Sequence, residues 1–426
     1  MPSRFRLIAA FNVPLALVSA WLLWRSRDWP LVGDATVFHF IAGQMRMGAV
    51  PYRDIADVNM PLTYAIHAAV VAVGGMSDLA WRVFDLLALA VLGFFILILM
   101  APAGRAPAIL AALAVVTMHL LLGPYAAGQR DFLMCIPAVA GAWASARAEE
   151  DKQLRVLWLA LAGALGMTAA SIKPTGVLLL LLPALTTKLR RRDVVAIVGG
   201  ASAVALVVIV ALAASGGLGA FITMARELLP AYSAMGARPL PEVLTALQWA
   251  APIAGLALAA ALSLAGSTRS SFTTSPRARA AMGLAAFGLL HLLAQQKGWA
   301  YHIYPLAIGL ACWGAWALAA LARNRALVCL SVMALGLGWG VIDSARRVED
   351  TAPLRAAAAM AAALEQQREP LDVGGRLPHA GARHGKKGAV VGVQRLHARA
   401  ARQMLLERGR HHCGGAQRRS ILDPAH

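Results

Sequence analysis

Eleven apolar runs, each close to the length that crosses a bilayer, constrain this 426-residue chain more than any other feature. They cover 7–24, 81–101, 107–124, 132–146, 156–171, 174–187, 194–214, 243–264, 281–294, 303–322 and 326–342. A hydrocarbon core about 30 Å thick needs roughly 20 apolar residues per helix, and backbone groups inside it must be satisfied within the segment. The expected fold is therefore all-α, a polytopic membrane protein of about eleven spans. With 59% hydrophobic and 14% charged residues, the composition departs from that of soluble domains in the same direction. The first run follows Arg4 and Arg6, as a secretory signal would, but it ends in the bulky "WLLWR" and reads as a retained anchor.

Loop charge sets the expected topology. The segment 61–75, "PLTYAIHAAVVAVGG", is short for a span and suits a re-entrant or interfacial helix. If it does not cross, thirteen Lys and Arg fall in loops on the side of Arg4 and Arg6, against six on the other side. If it crosses, those totals change sides. The positive-inside rule favours the first arrangement, with a cytoplasmic N-terminus. The net charge of +19 is thereby assigned to topology and anionic lipid, and no nucleic-acid partner is expected. Cys135, Cys312, Cys329 and Cys413 show no disulfide or metal spacing.

In this topology the polar groups converge on the exterior. The loop "GDATVFHFIAGQMRMGAVPYRDIADVNMP" at 33–61 holds Asp34, Asp54 and Asp57. From Asp34, the spacing of Val37, Phe38, Ile41 and Met45 predicts a short surface helix closed by Gly48 and Pro51. Asp34 at its start is either an N-cap or an active carboxylate. Arg53 can pair with Asp54 or Asp57 at the surface. The turn "GQRD" brings Arg130 and Asp131 to the same side, where Asp131 can cap the following helix and Arg130 can pair with it. Lys173, in "SIKP", is either a snorkelling or a functional lysine. Lys297 and His302, in "QQKGWAYH", are joined by an aromatic-belt reading for His302 beside Tyr301 and Tyr304. The stretch "FITMARELLPAYSAM" within 215–242 suits a helix on the outer leaflet that bounds a lipid or acceptor groove.

This order of residues resembles the C-type (GT-C) glycosyltransferases. A first span, an Asp opening a juxtamembrane helix, "G-x-x-PYRD-x-x-D" and a Pro-led apolar half-helix carry the resemblance, with "GQRDFLM", "KPTG" and "QQKGWAYHIYP" further on. Within that group the chain is similar to bacterial membrane enzymes related to protein O-mannosyltransferases and to the lipid A aminoarabinose transferase. The resemblance covers residues 1 to about 345. It implies an inverting enzyme of the bacterial plasma membrane that transfers a sugar, on the periplasmic face, from a polyprenyl-phosphate donor to an envelope lipid, glycan or protein acceptor. It implies catalytic roles for Asp34 and Asp131, and substrate binding by Tyr52, Arg53, Asp54, Asp57, Arg130, Lys173, Lys297 and His302. Ala35 stands where the mannosyltransferases carry Glu, and Asn59 and Met60 stand where many relatives have a basic residue before Pro.

Transfer from a lipid phosphate needs a base at the acceptor hydroxyl and positive groups at the departing phosphate, which Asp34 and the Lys and Arg side chains supply. The aspartates are hard ligands suited to a divalent cation, Mg or Mn, although no spacing demands one. A transporter or flippase is the alternative, together with an inactive relative acting as a scaffold. Four spans (194–214, 243–264, 303–322 and 326–342) hold no charged residue and no internal repeat is found, which favours chemistry at the surface over transport.

The tail, 346–426, has a different character. After Trp339 there is no aromatic residue, and from Leu371 eleven Lys and Arg stand against three Asp and Glu. It reads as a poorly ordered segment, with a shift of reading frame near Pro370. Resequencing the locus tests that: a break near codon 370 is expected, and an unbroken frame through 426 dismisses it.

Overall fold

The computed structural model describes residues 3–264 and 275–349, all within the first of two compact units, Met1–Ala357. The expectations for the tail from residue 350 onward, and for Cys413, lie outside the described residues. The long helices are α1 (Ser3–Arg25), α4 (Asp78–Met100), α5 (Arg105–Leu122), α6 (Arg130–Glu150), α7 (Arg155–Ile172), α9 (Arg191–Ala214), α14 (Pro276–Gln295), α15 (Tyr304–Ala320) and α16 (Arg323–Glu349). Shorter ones are α2 (Asp34–Arg46), α3 (Pro61–Gly74), α8 (Leu182–Thr186), α10 (Leu218–Thr223), α11 (Leu229–Ala234), α12 (Leu240–Leu244) and α13 (Ala254–Leu264). Among the described residues nine helical segments are long and apolar enough to cross a membrane, so the chain is an all-α, multi-pass membrane protein.

Two of the eleven predicted spans fall outside those nine, each for a physical reason. Helix α6 is less apolar because most of its residues are buried against other helices and need not face lipid. Its two ends nevertheless lie on opposite faces. Lys173, at the end of α7, bonds Asp131, while Arg155, at the start of α7, bonds Glu149. An 18-residue α-helix separates those two contacts by about 27 Å. The other is 174–187, where a 3₁₀ stretch, Pro174–Leu181, precedes α8. Its rise of about 2 Å per residue stretches thirteen residues to roughly 23 Å. Arg155 Nη1 donates to Thr187 Oγ1 at 2.9 Å, so this segment returns along the whole of α7.

Helix α3 begins and ends on one face. Thr63 Oγ1 donates to the carbonyl of Ile172 at the end of α7, and Gly74 packs on Ala80 at the start of α4. The first face thus collects α2, α3 and the segments 123–129, 173–174, 215–239 and 295–300. The second face collects 101–104, 151–154, 187–190 and 321–322.

Lipid tails give no hydrophobic drive between helices, so close packing has to hold the bundle. Glycines make it possible where α7 crosses α9. A Cβ on Gly163 would come 2.0 Å from the Ile197 carbonyl oxygen, and one on Gly200 would come 1.9 Å from that of Ala160. Among those nine segments the one that contains α15 is the most enclosed, whereas α9 turns Val195, Val198, Val207 and Val210 outward. Gly163→Val is expected to push α7 from α9 at a cost of about 1–3 kcal/mol. A lower thermal unfolding midpoint in detergent checks this, and an unchanged midpoint would contradict the packing argument.

Candidate functional site

The first face is built around the turn that precedes α6. Gly128, at φ 60°, donates its N–H to Asp85 Oδ1 at 2.8 Å and lies so close on Trp81 that a Cβ would meet the ring at 1.9 Å. A left-handed turn with no room for a side chain requires glycine there. Asp85 also takes Arg82 and His119 Nε2, and Arg82 reaches Ser26 at the end of α1. A carboxylate only accepts, so His119 donates through Nε2, and its Nδ1 receives the Tyr304 hydroxyl at 2.8 Å. Asp85 and Arg82 pair one turn apart on α4, and Asp85 fixes the start of α6 through Gly128.

From that start Arg130 and Asp131 diverge. Asp131 has no solvent-accessible surface. Lys173 Nζ lies 2.7 Å from both of its oxygens, and His291 Nε2 donates to Oδ1 at 2.7 Å. The other ring nitrogen of His291 then accepts from the Thr175 hydroxyl at 2.8 Å. Lys173 is neither snorkelling nor exposed: it is held between helix ends, and burial pulls its ammonium down to about 8 against the attraction of Asp131. An ammonium has three N–H groups, so one remains after Asp131 has taken two.

Arg130 points the other way. Its guanidinium lies over Phe38 and reaches Asp34 Oδ2 at 3.4 Å. Asp34 is the first residue of α2; Gly33 occupies the N-cap, and the Asp34 carboxylate makes no capping bond. Its side chain keeps 38% of its surface open, which leaves a carboxylate accessible in front of the fully enclosed one. Helix α2 buries Ala35, Phe38, His39, Ile41 and Ala42, and the expected stripe residue Val37 is exposed instead.

A cleft of about 190 Å³ opens beside these groups, lined by Arg130, Lys173, Lys297, His302, Asn59 and Tyr232 among others. Lys297 sits 3.6 Å from the centre of the Tyr232 ring and 5.2 Å from that of Trp299. Among the described residues it has no carboxylate partner, and burial followed by repulsion from Arg130 lowers its pKa. Three buried polar atoms of the lining have no partner: Arg130 Nε, His302 Nδ1 and Asn59 Oδ1. Leaving such atoms unpaired costs free energy that a polar ligand would recover. The stretch 218–234 forms one wall through Leu229, Tyr232 and Ser233, just after a π-helical turn at Met224–Leu228.

The PYRD segment lies to one side. Arg53 and Asp54 pair at 2.8 Å on the surface, and Arg53 holds the Asp54 carboxyl below the usual carboxylate range. Tyr52, at φ 70°, is buried against Tyr64 and Phe221 and donates its hydroxyl to the Asn59 carbonyl at 2.6 Å. Asp57 accepts from the Val58 N–H and from Asn59 Nδ2. These residues brace Asn59 at the cleft, while Arg53 and Asp54 are not among its lining. Among the described residues no three His, Cys, Asp or Glu side chains stand together as metal ligands. Both Asp131 oxygens already face Lys173, so among the described residues the four aspartates do not form a donor set for Mg or Mn.

Sequence reasoning missed His291 and Thr175. The available signal was a lone histidine inside the apolar run 281–294, but nothing local says that it faces Asp131, 160 positions away.

No protein-family model matches the chain, and no curated protein matches it. Among solved structures the chain is similar to the archaeal oligosaccharyltransferase AglB from Archaeoglobus fulgidus in complex with an inhibitory peptide and a dolichol-phosphate. The TM-score is 0.48 at 13% identity, over 80% of this chain and 55% of that one, so the chain spans about half the length of that structure.

Removing one partner of a buried pair strands the other, at about 3–5 kcal/mol. Asp131→Asn should therefore lower the unfolding midpoint sharply, and adding Lys173→Met should restore part of the loss. Two variants of equal stability to the wild type would show that the pair is not built as described.

Proposed function

We propose that this chain is a glycosyltransferase that moves a sugar from a polyprenyl-phosphate donor to an acceptor hydroxyl of an envelope lipid, glycan or protein. The first face is then periplasmic, and the membrane is the bacterial inner membrane. One observation carries the reading: a lysine with no carboxylate partner among the described residues, an arginine with a free Nε and an unpartnered histidine nitrogen line one cleft, beside an accessible carboxylate. That set suits a phosphate leaving group next to a base. The sequence resemblance at 34–61 and its distant motifs supports the same chemistry.

In the proposed reaction the acceptor hydroxyl gives its proton to Asp34 while its oxygen attacks the anomeric carbon. The bond from that carbon to the phosphate oxygen breaks, the electron pair leaves with the lipid phosphate, and the configuration inverts. Arg130 and Lys297 meet the developing negative charge, Arg as a planar fork and Lys as a point charge. His302 Nδ1 and the third N–H of Lys173 add donors on the same side. Asp131, sealed behind Lys173, acts as a positioning residue here: it fixes the ammonium in direction and keeps it charged. Tyr52 and Asp57 position Asn59, and Arg53 with Asp54 closes the adjoining turn.

Asp34→Asn should cut transfer by about 10²–10⁴-fold, the usual range for a general base, with donor binding retained. Membranes carrying equal amounts of either protein, supplied with a panel of polyprenyl-phosphate sugars and envelope acceptors, provide the assay. Undiminished transfer by the variant would remove Asp34 from the mechanism. Absence of transfer by the wild type with every donor would point to a scaffold or transporter instead.

The pH dependence follows from the lysines. Burial lowers both Lys173, to about 8, and Lys297. The charged form exists below each pKa, so positive charge at the cleft is lost as pH rises through about 8. Donor KM should climb on the alkaline side, and Lys297→Gln should raise it already at neutral pH. A KM independent of pH and of this substitution would contradict the phosphate contacts.

A further inference from the structure

A second polar cleft, of about 1000 Å³, opens at the opposite end of α7 on the second face. Six cations line it: Lys152, Arg155, Lys188, Arg190, Arg192 and Arg279. Two carboxylates, Glu149 and Asp193, serve three of them. Arg155 is spent on Asp193 at 2.9 Å and on Glu149 at 3.1 Å, and Lys152 takes the other oxygen of Glu149 at 2.7 Å. Asp193 is 3.9 Å from Arg192 but is already committed to Arg155 and to the Arg190 N–H. Among the described residues no carboxylate pairs with Lys188 or Arg190. The surplus is therefore local to this cleft and goes beyond a loop with a generally positive composition.

The walls say what kind of anion fits. Leu185 and Leu189 are part of the lining, and Leu181 and Leu185 stand exposed along the 3₁₀ segment and α8 that lead to it. On the other side Val194, Val195 and Val198 stand exposed along the first turns of α9. In a bundle that crosses a bilayer, these outward apolar rows face acyl chains. The basic groups stand where those rows end, at headgroup level. Free phosphate would use the cations alone, whereas a lipid uses the cations and the apolar rows together.

We propose that this cleft holds the phosphate headgroup of an anionic phospholipid from the leaflet on the second face, with its acyl chains along α8 and α9. The site is independent of the transfer reaction and of the first cleft. Arg155, fixed by Asp193 and Glu149, forms the rigid floor, and Lys188, Arg190 and Arg192 approach the headgroup from the rim.

The full chain, delipidated in a neutral detergent, tests this by native mass spectrometry against phosphatidylglycerol, phosphatidylcholine and inorganic phosphate. The wild type should retain phosphatidylglycerol about tenfold or more over phosphatidylcholine, and Lys188→Gln with Arg190→Gln should abolish that preference. Arg323→Gln with Arg325→Gln, two cations in the first turn of α16 on the same face, should leave it within about twofold. Should the double rim variant fold poorly, Lys188→Gln alone, at an exposed position, should still weaken retention several-fold. Equal losses in the rim and control variants would replace the site with a diffuse field. An unchanged preference in the rim variants overturns the proposal, as does displacement of the lipid by inorganic phosphate at equal concentration.

Discussion

The ammonium of Lys173, enclosed at the junction of two membrane helices, cannot stay charged there without a carboxylate, and the carboxylate of Asp131 cannot stay there without the ammonium. Each group alone would face a desolvation cost of several kcal/mol. Their bond therefore ties the start of α6 to the end of α7 and fixes where the chain turns at Pro174. His291 and Thr175 complete the carboxylate's surroundings and bring α14 and the 3₁₀ segment into the same arrangement. Three consecutive segments and the distant α14 are located by one buried charge pair, and the cleft lies on its open side.

The same logic runs one layer outward. Asp85 gathers Arg82, His119 and the Gly128 N–H, so the turn before Arg130 is held by a second buried carboxylate. Its contacts reach α1 through Ser26 and α15 through Tyr304. Arg130 is thus carried on a turn with little freedom, and its guanidinium lies between Phe38 and Asp34. A site meant to bind a charged group gains from such rigidity, because ordering the donors in advance lowers the cost of using them.

The sequence makes the membrane spans legible because apolar length is a local property. Even the two outside the nine, α6 for its lower hydropathy and 174–187 for its shortness, are recovered once burial of α6 and the longer rise of a 3₁₀ stretch are allowed for. The grouping of the loops onto two faces is legible too, since it follows from the order of the spans, and α3 starts and ends on one side as its length suggests. The register of α2 is less so: the pattern marks Val37 for the interior, but the helix turns Ala35 and His39 inward, because His67 and Trp81 are what it meets there. The pairing of Lys173 with Asp131 is not in any local pattern. Both residues stand out as ionisable groups at span ends, yet their separation of 42 positions carries no sign that they touch.

The two aspartates implicated together by the sequence end in opposite environments, and that difference decides what each can do. A base must reach the proton that it removes. Asp131 has neither open surface nor an oxygen free of Lys173, so a hydroxyl cannot approach it. Asp34 has both, with one arginine at 3.4 Å that is long for a hydrogen bond between charged groups. A tight, bidentate arginine would occupy the lone pairs that a proton needs. In the proposed reaction the looser contact leaves room for an acceptor hydroxyl while keeping Arg130 within reach of a phosphate on the other side. Division of labour between paired carboxylates commonly arises in this way, through different surroundings for the same functional group. In the proposed reaction the enclosed member supports the cations, and the open one takes the proton of the acceptor.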